Sequence, residues 1–330
     1  MNAWKLRLSM AGTLAIIIGL STLVITAVLF LVGYFSLITI GLLVVVINVA
    51  QWLFAPYLIG WMYKARELKQ TENPELHQTV ESLSKKSGIS APRLMLAQIP
   101  IPNAFAYGSP ISGTRVAVTA GLLKSLDPGE IEAVLGHELG HLKHRDVQAM
   151  MLVSFLPSLF FYIGYSLMLS GSGIFGGGSN NKNSGGYNAL IGLAFMAFSW
   201  VLTLFTLYLS RLREYYADRH SASIVENGAM KLSTGLVTIV EESRRNMKPR
   251  KNGQKGNTSF RALFITDPDH ATADSADLHA NGIDKQALLR ETLAQRPSKT
   301  DKFVEVFSTH PNIVKRLHAL QELDQQQNSA

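Results

Sequence analysis

Two histidines, His137 and His141, stand four residues apart, and Glu138 directly follows the first of them. On a helix this spacing places both imidazoles on one face, one turn apart, where they can meet a single metal ion. Glu138 would then lie about 100° round the helix, where its carboxylate can reach a metal-bound water without binding the metal. The pattern is typical of the metal site of zinc peptidases.

The residues just before the motif predict the helix that it needs. Asp127 can cap a helix, Pro128 suits the first helical position, and Glu130 stands three residues after the cap, as in a capping box. Apart from Glu138, the residues that fill the motif and its borders are uncharged, and a membrane span follows directly; these residues are Gly136, Leu139, Gly140 and Leu142. The alternative is a pair of surface histidines on an amphipathic helix, and the cap and the uncharged surroundings argue against it.

A catalytic zinc ion needs a third protein ligand and an open position for water. His144 is only one turn past His141, and three ligands on successive turns of one straight helix would point apart. Glu214 and Asp218 share a helix face further along the chain. We therefore favour Glu214 as the ligand and Asp218 as the acceptor for a ligand imidazole. The alternative is a solvated acidic pair that balances neighbouring arginines.

Two long uncharged blocks must position these residues. Only 17% of the 330 residues are charged, against roughly 25% in a soluble domain. No charged residue lies between Arg7 and Lys64, and only Lys182 lies between Asp146 and Arg211. Each block exceeds the ~20 residues that cross a bilayer. The first block is too long for a secretory signal and lacks a cleavage site, so we predict an integral membrane protein.

Each block divides into a helical hairpin. The first gives spans at 10–32 and 37–58, and the second gives spans at 147–170 and 189–209 around a flexible Gly/Ser/Asn-rich loop at 171–186. The alternative for the second hairpin is a buried helical pair that never crosses the bilayer.

Basic residues lie before the first and after the second helix of each hairpin, at the ends away from its turn. The positive-inside rule therefore places both termini and the polar segments in the cytoplasm. We therefore expect a multi-pass protein of the cytoplasmic (inner) membrane whose partner is the lipid bilayer. The net charge of +7 is explained by these flanks, and we expect no nucleic-acid partner. The chain has no cysteine, which excludes a disulfide scaffold and cysteine-ligated metal.

The predicted fold is a mostly α integral membrane protein with four transmembrane helices and a cytoplasmic α+β domain that carries a small β-sheet. We expect a helix from 67 to 86 and three short strands at 93–97, 104–107 and 115–119, the last two joined as a hairpin. A mobile basic loop is expected at about 244–258; its alternative role is contact with anionic lipid headgroups. The predicted divisions are an N-terminal transmembrane hairpin (1–63), a cytoplasmic core with the metal helix (64–146), a second transmembrane hairpin (147–210) and a cytoplasmic completion of the catalytic domain (211–330).

Four motifs occur in the order in which the M48 peptidases carry them, so the chain resembles that family and, within it, the HtpX-like membrane zinc proteases. The resemblance runs over nearly the whole chain and implies a zincin (gluzincin-like) catalytic domain. The motifs are Asn103-Ala104-Phe105-Ala106, His137-Glu138-Leu139-Gly140-His141, Glu214 with Asp218, and His310-Pro311 with Arg316.

The resemblance implies a role for each of these positions. His137, His141 and Glu214 would bind one zinc ion per chain, and Glu138 would be the general base. His310 would donate to the oxyanion, and Arg316 would brace a carboxylate such as Asp218 or Glu138. The segment similar to a substrate-pairing edge strand, with a purely structural hairpin strand as its alternative, comprises Asn103, Ala104, Phe105 and Ala106.

The implied function is a zinc-dependent endopeptidase that hydrolyses unfolded or damaged membrane proteins at the cytoplasmic face, in quality control and the stress response. One alternative is a CAAX-type processing protease of the same superfamily. Another is a catalytically silent zinc-binding membrane scaffold. The identity of the substrates, the oligomeric state and the gating of activity are left open by the sequence.

Overall fold

The computed structural model describes residues 37–171, 182–247, 285–294 and 305–328. The predicted span at 10–32 lies outside the described residues. The described residues divide into two compact units. The first comprises 37–52, 148–171 and 182–209, and the second comprises 53–147, 210–247, 285–294 and 305–328.

The described residues form nine helices and four strands. The helices are α1 (Leu37–Met62), α2 (Pro74–Ser87), α3 (Ala120–Ser125), α4 (Pro128–Lys143), α5 (Asp146–Gly171), α6 (Lys182–Ile224), α7 (Gly228–Met247), α8 (Lys285–Ala294) and α9 (Ile313–Asn328). The strands are β1 (Ala65–Glu67), β2 (Arg93–Ala97), β3 (Ala104–Ser109) and β4 (Gly113–Thr119).

Two of the described helices, α5 and α6, are long and apolar enough to cross a membrane. Within the first unit they approach closely, because a Cβ on Gly164 or on Gly192 would lie 2.5 Å from the carbonyl oxygen of the other glycine. The Ser199 hydroxyl also donates to the Pro157 carbonyl at 2.7 Å. Small residues of this kind let transmembrane helices pack backbone to backbone.

The predicted loop at 171–186 is wrong in its last part. Helix α6 begins at Lys182, so residues 182–186 are helical despite two glycines. Each glycine in a helix costs roughly 1 kcal/mol relative to alanine, but adding residues to an existing helix needs no new nucleus. A long apolar helix can therefore extend through this segment.

The strands form one sheet in the order β1-β2-β4-β3. β2 pairs with β4 in parallel, and the other two pairings are antiparallel. The three predicted strands are confirmed, with the hairpin strands extended to Ser109 and back to Gly113. Within the described part of the chain β3 pairs only with β4, so it is an edge strand.

The predicted helix at 67–86 begins later than expected. β1 occupies Ala65–Glu67, and α2 starts only at Pro74, where the Asn73 side chain caps it by accepting from the Leu76 N–H at 3.0 Å. An asparagine before a proline is a strong helix start. The predicted end is confirmed, since Gly88 takes the left-handed conformation (φ 71°) that suits a helix C-terminus.

The predicted basic loop is also wrong at its beginning. α7 extends through Met247, and Arg244 and Arg245 pair with Glu241 on the same helix. Residues 248–258 of the predicted loop lie outside the described residues. Oppositely charged side chains three or four residues apart stabilise a helix. This explains why the first part of the basic run is helical.

The core of the second unit lies on both faces of the sheet. On one face, leucines and valines of β2 and β4 pack with α2, α4 and α7. On the other face, Phe105 and Tyr107 of β3 pack with Tyr63 at the end of α1. The first face carries α4 and therefore positions the histidine motif beside β3.

Candidate metal centre

Helix α4 carries the motif and starts as the sequence predicts. The Asp127 N–H donates to Glu130 Oε2 at 2.9 Å, and Pro128 is the first helical residue. Lys285 of α8 contacts both carboxylates at 2.7 Å. The start of α4 is thus fixed by its own cap and by a distant lysine, and the motif lies in the second half of the helix.

Two glycines of α4 let α6 approach the motif. A Cβ on Gly140 would lie 3.1 Å from the Ala217 Cα of α6. One turn earlier, a Cβ on Gly136 would lie equally close to atoms of α6. The two helices therefore pack with little between them at these positions. This contact brings Glu214 and Asp218 of α6 next to the histidines of α4.

The structure brings the three predicted metal ligands together. The Nε2 atoms of His137 and His141 lie 3.2 Å apart. Glu214 presents one carboxylate oxygen to each imidazole, with Oε2 3.6 Å from His137 Nε2 and Oε1 3.6 Å from His141 Nε2. All three side chains are buried or nearly so, with 1%, 12% and 6% of their surface exposed.

The other nitrogen of each imidazole contacts a carboxylate. His137 Nδ1 lies 2.9 Å from Asp218 Oδ1, and His141 Nδ1 lies 2.7 Å from Asp146 Oδ2. Since a carboxylate accepts hydrogen bonds, the contact with Asp146 assigns a proton to Nδ1 of His141, whereas the contact between His137 Nδ1 and Asp218 lacks hydrogen-bond geometry. The Nε2 atoms of both rings face each other. The two imidazoles are thereby oriented as metal ligands.

Asp146 belongs to the candidate site by its contact with His141, and the sequence does not predict this. Its side chain is almost buried and also contacts Arg213 Nε at 3.0 Å. The signal in the sequence was its place five residues after His141, but Asp146 also marks the start of the apolar α5. Its sequence context therefore predicts only the boundary of a span.

The donor set fits a zinc ion. The Nε2 atoms of His137 and His141 lie 3.2 Å apart, close enough for the two rings to share one cation or one proton. Zn–N bonds of about 2.0–2.1 Å in tetrahedral geometry would separate the two nitrogens by about 3.3 Å. In addition, the buried Glu214 Oε2 accepts no well-formed hydrogen bond from the described residues, although Arg316 Nη1 lies 3.2 Å away. His137, His141 and Glu214 are therefore the residues that would hold zinc.

Arg316 braces the carboxylates behind the ligands. Its guanidinium is fully buried and donates to Asp218 through Nε at 2.9 Å and Nη2 at 2.5 Å. Its Nη1 lies 3.2 Å from Glu214 Oε2. Of the two partners that the resemblance left open, the structure thus shows Asp218 in contact with Arg316. Burial raises the pKa of Asp218, but Arg316 and His137 outweigh it and hold that pKa below its ordinary value.

His310 also lies at the centre. Its Nδ1 is 3.4 Å from Glu214 Oε1. Glu214 lies beyond the apolar stretch of α6, and burial opposes its ionisation, but contacts with His310 and Arg316 hold its pKa well below the ordinary value. The carboxylate of Glu214 is therefore ionised, as a metal ligand must be.

Glu138 is buried beside the ligands and faces β3. Its Oε2 accepts from the Ala106 N–H at 2.8 Å. Burial raises the pKa of Glu138 above the ordinary 4.5, and the neighbouring imidazoles only partly oppose this. A raised pKa suits a group that must take up and release a proton.

The predicted substrate segment is mostly enclosed. In an antiparallel ladder the N–H and C=O of one residue point the same way, so the Ala106 contact with Glu138 shows that Ala106 faces the outer edge of β3. Asn103, Ala104 and Phe105 are buried, whereas Ala106 and Gly108 are partly exposed. The Asn103 backbone exchanges hydrogen bonds with Thr119, at 2.9 and 3.0 Å. The accessible part of this edge is thus Ala106 to Gly108.

Two further histidines lie near the centre without joining it. His144 ends α4, and its ring lies 6.1 Å from that of His220. His220 Nε2 contacts the Ser87 hydroxyl at 2.9 Å. The sequence assigns neither of them to the metal. In the structure His220 of α6 contacts α2, and His144 lies beside α6, with its ring 6.1 Å from that of Tyr216.

The comparisons with known proteins agree with this geometry. A family model described as peptidase family M48 matches residues 70–324. The protease HtpX homologue of Thermoplasma acidophilum is 35% identical over 98% of this chain and 99% of its own length. That of Aeropyrum pernix is 36% identical over 96% and 95%. The crystal structure of S. mikatae Ste24p shares the fold with a TM-score of 0.55 at 16% identity, over 96% of this chain and 66% of that chain.

The family match covers every residue of the metal centre, and the likeness to the HtpX homologues extends over nearly the full length of the chain. The structure adds two helices that are apolar and long enough to cross a membrane. The chain therefore belongs to peptidase family M48, a family of zinc metalloproteases, and is a membrane metalloprotease.

Proposed function

We propose that the protein is a zinc-dependent endopeptidase that cuts unfolded or damaged membrane proteins at the cytoplasmic face of the membrane. The observation that carries the proposal is the joint position of Glu138. Its carboxylate lies beside the imidazoles of His137 and His141, and it accepts a hydrogen bond from Ala106 on an edge strand. A base, a metal-binding set and a peptide-binding edge thus meet at one place.

The bound metal would supply one part of the chemistry. Zinc held by His137, His141 and Glu214 would lower the pKa of a coordinated water toward ~7 and would polarise the scissile carbonyl.

The remaining steps belong to side chains of the protein. The carboxylate of Glu138 takes the proton from the attacking water and passes it to the departing amine. His310 is placed to donate to the oxyanion, a contribution often worth about 3–4 kcal/mol for a well-placed donor. Asp218 and Asp146 hold the two imidazoles in orientation, and Arg316 holds Asp218.

The edge strand supports a broad substrate range. The accessible section of β3 presents the Ala106 carbonyl and the backbone groups of Gly108, while the Ala106 N–H is bound to Glu138. An extended peptide can pair with such groups whatever its sequence. An unfolded chain exposes extended segments, whereas a folded protein seldom does. This favours unfolded or damaged proteins as the substrate class.

The membrane arrangement that we propose has four transmembrane helices. α5 and α6 would form the second hairpin, and α1 with the predicted span at 10–32 would form the first. The catalytic domain would be a gluzincin-like zincin domain in the cytoplasm, with both termini on the same side. Substrates that are themselves membrane proteins would then meet the site without leaving the bilayer surface.

A comparison of Glu138→Gln with Glu132→Gln tests the proposal. Both residues lie on α4, but Glu132 is at the surface and pairs with Lys231. The detergent-purified full chain is stripped with chelator, reloaded with zinc and given casein. We expect Glu138→Gln to keep one zinc per chain and to cleave at least ~10²-fold more slowly. Glu132→Gln should keep both the zinc and the cleavage rate of the native chain. Near-normal cleavage by Glu138→Gln would contradict the mechanism.

The same experiment separates the alternatives. A CAAX-type processing protease would leave casein intact and cut a prenylated C-terminal peptide. A silent scaffold would bind zinc and cut neither. We favour the endopeptidase because four spans would build a smaller helical enclosure than the processing enzymes have, and because no residue of the expected zinc site is missing.

A further inference from the structure

Three residues form a row across the sheet, on the face opposite α4. Arg93 of β2 is paired with Arg115 of β4, and Arg115 is paired with Tyr107 of β3. Side chains alternate along a strand, so these three share the face that packs against the end of α1. Like charges directly opposite each other on neighbouring strands are destabilising. An anion beside Arg93 and Arg115 would relieve this repulsion.

The described residues provide little that balances these two charges. Arg93 Nη2 donates to the Ser112 carbonyl at 2.5 Å, and the buried Arg115 Nε has no hydrogen-bond partner among the described residues. Around Arg115 lie the rings of Tyr57 and Tyr107, with centroids 5.6 and 5.9 Å from its Cζ. The arginine–carboxylate pairs of the described residues involve other arginines, namely Arg66, Arg213, Arg244, Arg245 and Arg316.

The neighbouring end of α1 has the character of a membrane interface. Its exposed face carries Phe54, Tyr57, Leu58 and Trp61, which are 62%, 48%, 56% and 78% exposed. Tyrosine and tryptophan are enriched where the hydrocarbon meets the headgroups. The β3–β4 turn exposes a further apolar residue, Ile111 (58%). The arginine row thus lies beside apolar surface that suits lipid.

We propose that Arg93 and Arg115 bind the phosphate of an anionic membrane phospholipid, whose acyl chains lie along the exposed face of α1. A guanidinium presents paired N–H donors that match phosphate oxygens. Lipid is favoured over free phosphate because free phosphate would leave the apolar face of α1 in water. The site is separate from the metal centre, since it lies on the other face of the sheet.

Native mass spectrometry of the detergent-purified full chain tests this inference. The probes are dioleoyl-phosphatidylglycerol, dioleoyl-phosphatidylcholine and inorganic phosphate. The variant is Arg93→Gln with Arg115→Gln, and the matched control is Arg219→Gln with Arg290→Gln, two exposed arginines of the same unit. We expect phosphatidylglycerol to bind at least about tenfold more weakly to the first variant, the loss of one charge-assisted contact, and equally well to the control.

The outcomes are decisive in both directions. Preference for phosphatidylglycerol over phosphatidylcholine, retained in excess inorganic phosphate, supports the lipid site. Equal binding of phosphatidylglycerol by the variant and the native chain overturns it, and so does displacement by inorganic phosphate at similar concentration.

Zinc content shows whether the double variant is folded. If the double variant loses zinc, the single variant Arg93→Gln, at an exposed position, is tested instead. We expect it to bind phosphatidylglycerol several-fold more weakly than the native chain. Unchanged binding would contradict the site. None of these readouts depends on protease activity.

Discussion

At the scale of single residues, the metal centre is a cluster of buried charges that compensate one another. Glu214 and Asp218 are both buried, and the fully buried Arg316 contacts both. A buried ion pair is not in itself a strong source of stability, because each ion loses its hydration. Removing one partner is costly, however, since the other charge is then left buried without compensation.

We therefore predict that Arg316→Met lowers the free energy of unfolding of the zinc-free protein by about 3–5 kcal/mol. The measurement is denaturant unfolding in detergent. Arg290→Met, which removes an exposed arginine of α8, is the control and should change stability by less than about 0.5 kcal/mol. Adding Asp218→Asn to Arg316→Met should recover part of the loss. A loss below about 1 kcal/mol would show that the pair is not a buried compensated one.

Asp146 sets the orientation of one imidazole. It accepts from His141 Nδ1, and burial opposes the charged form of His141 while Asp146 and Glu214 raise its pKa overall. We predict that Asp146→Asn weakens zinc binding about 10–100-fold. Competition with a chromophoric chelator measures it. Asp127→Asn is the control, because asparagine can also cap α4; an equal loss there would mean that Asp146 has no special role.

At the scale of elements, the contact between α4 and α6 positions Glu214. That contact depends on Gly140, where a Cβ would lie 3.1–3.3 Å from atoms of Ala217 and His220. An alanine would gain up to ~1 kcal/mol in helix propensity, but α6 would have to move by a few tenths of an ångström. Overpacking of this kind typically costs about 1–3 kcal/mol.

We predict that Gly140→Ala lowers the unfolding temperature and weakens zinc binding together, since both depend on the same helix contact. Gly60→Ala is the control, because a Cβ at Gly60 meets nothing within 4 Å. It should keep zinc binding unchanged. Unfolding temperature and zinc affinity are measured on both variants. Unchanged zinc affinity in Gly140→Ala would show that α6 is positioned by other contacts.

The elements that the sequence predicted well are those with a local chemical signal. Asp127, Pro128 and Glu130 mark the start of α4, and Gly88 marks the end of α2. The elements missed have no such signal. β1 is three residues long and exists only because β2 pairs with it.

The centre shows the same division. The spacing of His137, Glu138 and His141 along one helix predicts their common site. The spacing of Glu214 and Asp218 along a second helix predicts that these two lie on one face. Asp146 could not be identified as a partner of His141 because that depends on how the chain turns after α4. The enclosure of Asn103 and Ala104 depends likewise on packing around β3, which the strand pattern does not contain.

At the scale of the whole molecule, the centre is assembled from segments far apart in sequence. α4 provides His137 and His141, α6 provides Glu214, and the segment before α9 provides His310. Arg211 fastens that last segment to α6 through backbone oxygens of residues 305, 306 and 308, at 2.8, 3.1 and 2.8 Å. These segments must therefore all lie on one side of a membrane. If the apolar stretch between 147 and 210 crosses the membrane, it must return to the side that it left.

This constraint and the basic flanks together predict the topology. Lys143 and Arg145 precede α5, so the positive-inside rule assigns the centre to the cytoplasm and the start of α6 to the opposite side. The chain has no native cysteine, so single cysteines can report it. With a membrane-impermeant maleimide on intact cells, Lys182→Cys should be labelled, whereas Lys124→Cys should be labelled only after permeabilisation. Protection of both would mean that the second hairpin does not cross, and labelling of Lys124→Cys alone would invert the orientation.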